Sequence, residues 1–228
     1  SMFNYNAICV ISDLTTNKAG TITSGLDRFM EWKTKDGSYE NTALAQFDTF
    51  YEGMFDRARL LDIIKNFICF SVEQAKAFKI LAGYHQYFAV RKAVEKAKIA
   101  TTTDGKGGVF WHTQGSGKSY SMLFLAQKIR RKFEGSPTFV VLTDRDELNK
   151  QISDTFENCG LLGGVKASKY IAQSGDDLIG KLKSNPSFIF TLIQKFNKRD
   201  AEPITPNYDI IIMSDEAHRS QYGIFAEN

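Results

Sequence analysis

The stretch from Gly107 to Ser119 constrains this chain more than any other. Val109, Phe110 and Trp111 form a short apolar run that predicts a buried strand. Thr113-Gln114-Gly115-Ser116-Gly117 predicts a turn whose glycines allow positive φ and a close main-chain approach to a ligand. Lys118-Ser119 opens a helical pattern running to Phe133, with Met122, Leu123, Leu125, Ala126 and Ile129 on its packed face. Strand, glycine turn and helix start, in that order, suit a polyphosphate, because successive N–H groups and the first helical turn aim donors at negative oxygens. In such a device Lys118 reaches the terminal phosphates and the Ser119 hydroxyl ligates Mg²⁺. One position departs from the general G-x-x-x-x-G-K pattern, which asks for glycine where this chain has His112. Without context, Gly115, Gly117 and Lys118 also suit a plain helix-start turn.

A second segment far downstream decides between these readings. Tyr208 to Ser214 is a largely apolar strand run, and Asp215-Glu216 follow at its end. A carboxylate just past a buried strand is where a nucleotide-bound magnesium ion needs a partner, and a second one beside it can polarise an attacking water. Two adjacent acids alone are ordinary surface; the strand before them and the phosphate loop upstream give the pair its meaning.

Together, Gly115-Ser116-Gly117-Lys118-Ser119 and Asp215-Glu216-Ala217-His218 resemble motifs I and II of superfamily 2 helicase-type ATPases. The wider strings Trp111-His112-Thr113-Gln114, Leu142-Thr143-Asp144-Arg145-Asp146-Glu147-Leu148, Thr191-Leu192-Ile193-Gln194-Lys195-Phe196 and Asp215-Glu216-Ala217-His218-Arg219-Ser220 resemble the motor subunit of type I restriction enzymes. In that family a histidine at the position of His112 is ordinary. The resemblance implies ATP and Mg²⁺ as cofactors, with Lys118 on the β/γ-phosphates, Ser119 and Asp215 on the metal, and Glu216 activating water. It also implies double-stranded DNA as the substrate track, and methyltransferase and specificity subunits as partners.

With 43% hydrophobic residues the chain can bury a core, and a formal net charge of +3 is too small to argue nucleic-acid binding. Cys9, Cys69 and Cys159 are widely separated and lack metal spacing, so they predict reduced thiols in a cytoplasmic protein. No apolar run approaches membrane-spanning length. Ser1 ahead of Met2 has the look of a tag remnant, so residue 1 is not expected to be the natural start.

Residues 7–12 and 19–23 predict paired strands around a turn. Phe29, Met30 and Trp32 are too apolar together for a surface loop, so this segment is expected to pack against something. Asp27, Glu31, Lys33 and Lys35 suit solvated charges better than a nuclease site. Phe47, Phe50, Tyr51 and Phe55 lie at helical spacing, and a second amphipathic helix follows over 56–69. Ser71 with Gln74 forms a capping-box pattern that predicts a helix through Ala75, Phe78 and Leu81. Another helix is expected from Tyr84 to about Lys98. Gln86 sits where the helicase family reads the adenine edge; a helix-surface glutamine fits the sequence equally well. His85 beside it is taken as structural.

Beyond the phosphate loop, Lys128, Arg130, Arg131 and Lys132 suit a solvated helix end, with nucleic-acid contact second. Residues 138–142 predict a strand covered on both faces, and Asp144 with Glu147 a helix cap. Arg145 suits a phosphate contact on the tracked strand or a structural salt bridge. Ser174 with Asp177 predicts a further cap, and residues 187–191 a strand. Lys195, Lys198 and Arg199 suit phosphate contacts or a solvated basic cluster.

The expected fold is α/β, a mainly parallel P-loop sheet of RecA-like type, incomplete at its C-terminal end and preceded by a mostly helical region. Residues 1–41 are expected to connect from an upstream nuclease domain, 42–100 to form a helical linker, and 101–228 to form the first motor domain. Only Arg219 to Asn228 follow the acidic motif, whereas related ATPases place another strand there; a fragment with exposed apolar surface is therefore expected. The function implied is ATP-dependent translocation of double-stranded DNA in a type I restriction endonuclease. Alternatives are another superfamily 2 motor, such as a type III restriction subunit or a remodeller, or a structural connector between nuclease and methyltransferase partners.

Overall fold

A computed structural model describes residues 5–13, 15–38, 46–113, 115–196 and 209–215. The chain divides into two compact units, Ser1–Ile129 and Arg130–Asn228.

The first unit begins with an antiparallel sheet of β1 (Cys9–Ser12), β2 (Asn17–Gly20) and β3 (Met30–Glu31). The turn between β1 and β2 is closed by the Asp13 carboxylate, which accepts from the Thr15 N–H at 2.7 Å. Helices α1 (Phe47–Met54) and α2 (Arg57–Asn66) follow. Asp56 caps α2, accepting from the Arg59 N–H at 3.0 Å. Next come strands β4 (Ile68–Glu73) and β5 (Lys76–Leu81), then α3 (Tyr84–Ala100). The packing expected of the Trp32 segment is present: the Trp32 ring is buried against Tyr87 and Phe88 of α3, with centroids 5.5 and 5.9 Å away. Phe67 and Tyr87, at 4.7 Å, extend this aromatic core.

The helix expected from Ser71 is instead the β4–β5 hairpin, paired from Ile68↔Leu81 to Glu73↔Lys76. Ile68, Phe70 and Val72 alternate with Cys69 and Ser71, a period of two that competes with the capping-box pattern and wins once a partner strand is present. Ser71 Oγ lies against Glu73 at 3.0 Å instead of capping a helix. The hairpin reverses through Gln74 and Ala75, both at positive φ (48° and 64°), the conformation a two-residue turn of this hand requires.

Val109 to Trp111 is not a strand either. Val109 is 90% and Trp111 82% exposed, and no strand pairs with this run among the described residues. Strand formation needs a neighbour to take its backbone hydrogen bonds, which three apolar side chains cannot supply. Helix α4 (Lys118–Lys132) follows, and the boundary between units falls within it. Lys128, expected in a solvated helix end, is 2% exposed and ion-paired with Asp62, because its position faces the packed side of α4.

The second unit holds β6 (Thr138–Thr143), α5 (Asp146–Asn158), α6 (Gly175–Ser184), β7 (Phe188–Leu192) and β8 (Ile210–Ser214). The three strands form a parallel sheet in the order β7-β6-β8. Val140 and Ile189, close neighbours in register, pack with Leu178 and Leu182 of α6 and with Ala172. On the other face Phe156 of α5 meets Phe188 and Phe190 edge-on, both at 5.4 Å. Successive strand side chains alternate between faces, so α5 and α6 cover opposite sides of an α/β layer structure. The Ser174 cap forms, its hydroxyl accepting from the Asp177 N–H at 3.1 Å. The Asp144 cap does not: the N-cap position of α5 is Arg145, and the Asp144 carboxylate lies 3.7 Å from the Arg145 guanidinium.

Candidate nucleotide site and strand-end loops

The first unit carries the glycine loop. Gly115 and Gly117 both adopt positive φ, 79° and 80°, which only glycine tolerates cheaply. The Ser116 N–H donates to the Thr113 carbonyl at 3.2 Å to close the turn, and the Ser121 N–H donates to the Gly117 carbonyl at 3.1 Å to start α4. Lys118 and Ser119 therefore occupy the first turn of that helix, as expected. A Cβ on Gly117 would lie 2.8 Å from Gln86 Nε2, so close approach as well as φ demands glycine there.

The loop is held from the first turn of α3. Gln86 Nε2 donates to the Gly117 carbonyl at 2.9 Å, and Gln86 Oε1 accepts from the Gly83 N–H at 2.9 Å. At 6% exposure Gln86 is not a surface residue, and both ends of its amide engage main chain. His85 Nε2 lies 3.2 Å from the Ser116 carbonyl oxygen. The His85 ring is edge-on to His112 at 5.1 Å, and Phe110 flanks His112 at 5.2 Å. Burial, His85 and the Lys118 ammonium hold the His112 imidazole below its ordinary 6.5, which favours the neutral ring. Two buried polar atoms here, Ser116 Oγ and His112 Nδ1, have no hydrogen-bond partner among the described residues. An orphaned hydroxyl inside a glycine loop is what a site for an anionic ligand presents.

Beside the loop lies a cavity of about 580 Å³, walled by Phe78 and Leu81 of the hairpin, Met30 and Arg28 of the N-terminal segment, and Tyr120 of α4. Sequence reasoning missed this wall because the hairpin was read as a helix. The only sequence signal for His85 was its place next to Gln86.

The second unit gathers its motif residues at the carboxyl ends of three parallel strands, the edge where open α/β sheets place functional loops. Asp144 and Arg145 follow β6, Ile193–Phe196 follow β7, and Asp215 follows β8. The Asp215 N–H donates to the Leu142 carbonyl at 2.9 Å, and Gln194 Nε2 donates to the Asp144 carbonyl at 3.2 Å, so the three ends are laced together. Arg145 is 58% exposed while paired with Asp144, which satisfies the salt-bridge reading and leaves its guanidinium open to solvent. Lys195 donates to the Ala172 carbonyl, tying the turn to the segment before α6. Gln114, Glu216, Lys198 and Arg199 lie outside the described residues. Lys118 and Ser119 belong to the first unit and Asp215 to the second. Among the described residues no helix is long and apolar enough to cross a membrane.

Comparison with known proteins gives a consistent result. A family profile described as SWI2/SNF2 ATPase matches residues 85–228. The type I restriction enzyme HindI endonuclease subunit of Haemophilus influenzae is 37% identical over 97% of this chain and 22% of its own length. The putative type I restriction enzyme MjaIXP endonuclease subunit of Methanocaldococcus jannaschii is 32% identical over 100% of this chain and 23% of its own. The chain thus spans under a quarter of the length of these relatives.

Proposed function

The chain belongs to the SWI2/SNF2 ATPase family, and from that premise we propose that it carries the phosphate-binding half of an ATP-driven motor. The observation that carries this reading is the glycine loop, with two positive-φ glycines, a helix start at Lys118 and a buried Ser116 hydroxyl with no partner among the described residues. The nucleoside would occupy the adjoining cavity, with Gln86 at its border. Gln114, Gly115, Ser116 and Gly117 would cradle phosphate oxygens, with Thr113 closing the turn beneath them. Lys118 would neutralise the β/γ-phosphates. The Ser119 hydroxyl and the Asp215 carboxylate are the donors that would hold Mg²⁺, a hard cation that takes oxygen ligands and offsets phosphate charge. Glu216 would accept a proton from the attacking water.

The same reading assigns the strand-end loops of the second unit to the nucleic-acid track, with Arg145 as the open phosphate contact and Lys195, Lys198 and Arg199 beside it. The domain is of RecA-like type, with residues 1–41 leading from a nuclease, 42–100 linking, and 101–228 forming the first motor domain. The whole protein would pull double-stranded DNA within a type I restriction endonuclease, in complex with methyltransferase and specificity subunits in the cytoplasm. The names of the relatives support that system. ATP hydrolysis by the full-length protein, with and without double-stranded DNA, tests the proposal. Lys118→Ala is expected to lower DNA-stimulated turnover by about a hundredfold, as removal of a transition-state donor does. Unchanged turnover would remove Lys118 from the mechanism.

A further inference from the structure

His85 and Gln86 grip consecutive carbonyls of the glycine loop, those of Ser116 and Gly117. A trans peptide is planar, with its C=O and N–H opposed, so fixing a carbonyl also fixes the next residue's N–H. The two grips therefore aim the N–H groups of Gly117 and Lys118 away from α3. These are donors that a phosphate cradle offers to its ligand. The helix start already holds the Gly117 carbonyl, through the Ser121 N–H at 3.1 Å. Glycine on either side, however, lets the Ser116 peptide plane rotate at little cost, so that plane depends on His85. Gln86 is locked by Gly83, and the His85 ring is wedged edge-on between Tyr84 at 5.5 Å and His112 at 5.1 Å. The hydroxyl of the same Ser116 whose carbonyl His85 holds is buried and has no partner among the described residues.

We propose that His85 is a positioning residue for phosphate binding, acting through the Ser116 carbonyl and not by touching the substrate. The inference rests on the phosphate-loop reading above. His85 donates from Nε2, which both the Nε2–H tautomer and the cation permit. Because the grip orients main-chain donors, its loss must weaken every triphosphate equally, whatever base it carries.

The test measures binding of Mg²⁺–inorganic triphosphate and of Mg²⁺–ATP to the full-length protein by calorimetry. Wild type, His85→Phe, His85→Gln and Lys118→Ala are compared. Phenylalanine keeps the ring contacts and loses the donor; glutamine keeps an N–H donor and loses the ring. His85→Phe is expected to weaken both ligands about tenfold, the worth of one oriented hydrogen bond, while His85→Gln stays within about threefold of wild type. In turnover, KM for ATP rises more than kcat falls. His85→Leu is read in the same way as His85→Phe, so misfolding of one variant does not decide the result. Wild-type triphosphate affinity in the donor-free variants overturns the proposal. So does a loss confined to ATP, which would make His85 a base contact, or a loss in His85→Gln with none in His85→Phe, which would make the ring and not the donor the cause. Failure of the wild type to bind triphosphate, or full binding by Lys118→Ala, overturns the phosphate-loop reading itself and is recognisable as that separate result.

Discussion

Removing Asp62 should loosen the helix that carries the glycine loop. Lys128 sits in α4 and is 2% exposed; its ammonium donates to both oxygens of Asp62 at 2.7 and 2.5 Å and lies 4.6 Å from the Phe67 ring centroid. Burial works against the Asp62 carboxylate, but hydrogen bonds from Lys128 and Asn66 outweigh it and hold the group below its ordinary 3.8. Asp62→Ala leaves a buried ammonium without its counter-ion. Breaking such a pair costs roughly 3–5 kcal/mol, and the partial exposure of Asp62 argues for about 3. Lys128→Met leaves a carboxylate that reaches water and keeps Asn66, so about 1.5 kcal/mol is expected. Replacing both, Asp62→Ala with Lys128→Met, should cost no more than about 1 kcal/mol, a coupling of about 3.5 kcal/mol. The assay is amide hydrogen exchange in the full-length protein, reading the opening free energy of α2 and α4. Additive single effects, or equal losses from the two single variants, would refute the argument that the buried ammonium dominates. The Asp62 contribution should also persist above about pH 4 and vanish as pH falls through the lowered carboxylate value.

Three further outcomes are expected. Ala75→Gly relieves a left-handed residue at the hairpin tip (φ 64°) and should stabilise β4–β5 by about 1 kcal/mol, read as slower exchange of the hairpin amides. His112 is held below 6.5 by burial, His85 and Lys118, so the unfolded chain binds the proton more readily. Its effect is absent well above pH 6.5 and turns destabilising as pH falls below it; His112→Gln should flatten that part of a melting-temperature profile. Phe156→Ala opens a void between α5 and the sheet, where the ring meets Phe188 and Phe190, and should cost about 3–5 kcal/mol in local stability by exchange of β7 amides.

The parallel strands were legible because Val140, Val141, Phe188 and Ile189 form unbroken apolar runs, the pattern of a sheet buried on both faces. The glycine turn was legible for a different reason: at Gly115 and Gly117 the positive-φ backbone leaves glycine as the cheap residue, so the conformation shows directly in the letters. What stayed hidden depends on partners remote in sequence. Ser71 and Gln74 satisfy a local helix rule, yet six paired positions across the hairpin override it. Lys128 looks like its solvated neighbours Arg130 and Arg131 until Asp62 is placed beside it. The aromatic wall of the cavity and the grip of His85 on Ser116 likewise exist only once the N-terminal hundred residues have folded.

The outer strand β8 has β6 as its sole partner among the described residues, and its Ile212 is 60% exposed. Such an edge is a template: the outward amides and carbonyls, which meet no partner strand among the described residues, can recruit an identical segment from a neighbouring molecule, and the isoleucine gives the recruit something to stick to. Preparations of the second unit alone should therefore self-associate through that border as concentration rises, and a lysine in place of Ile212 should keep them dispersed.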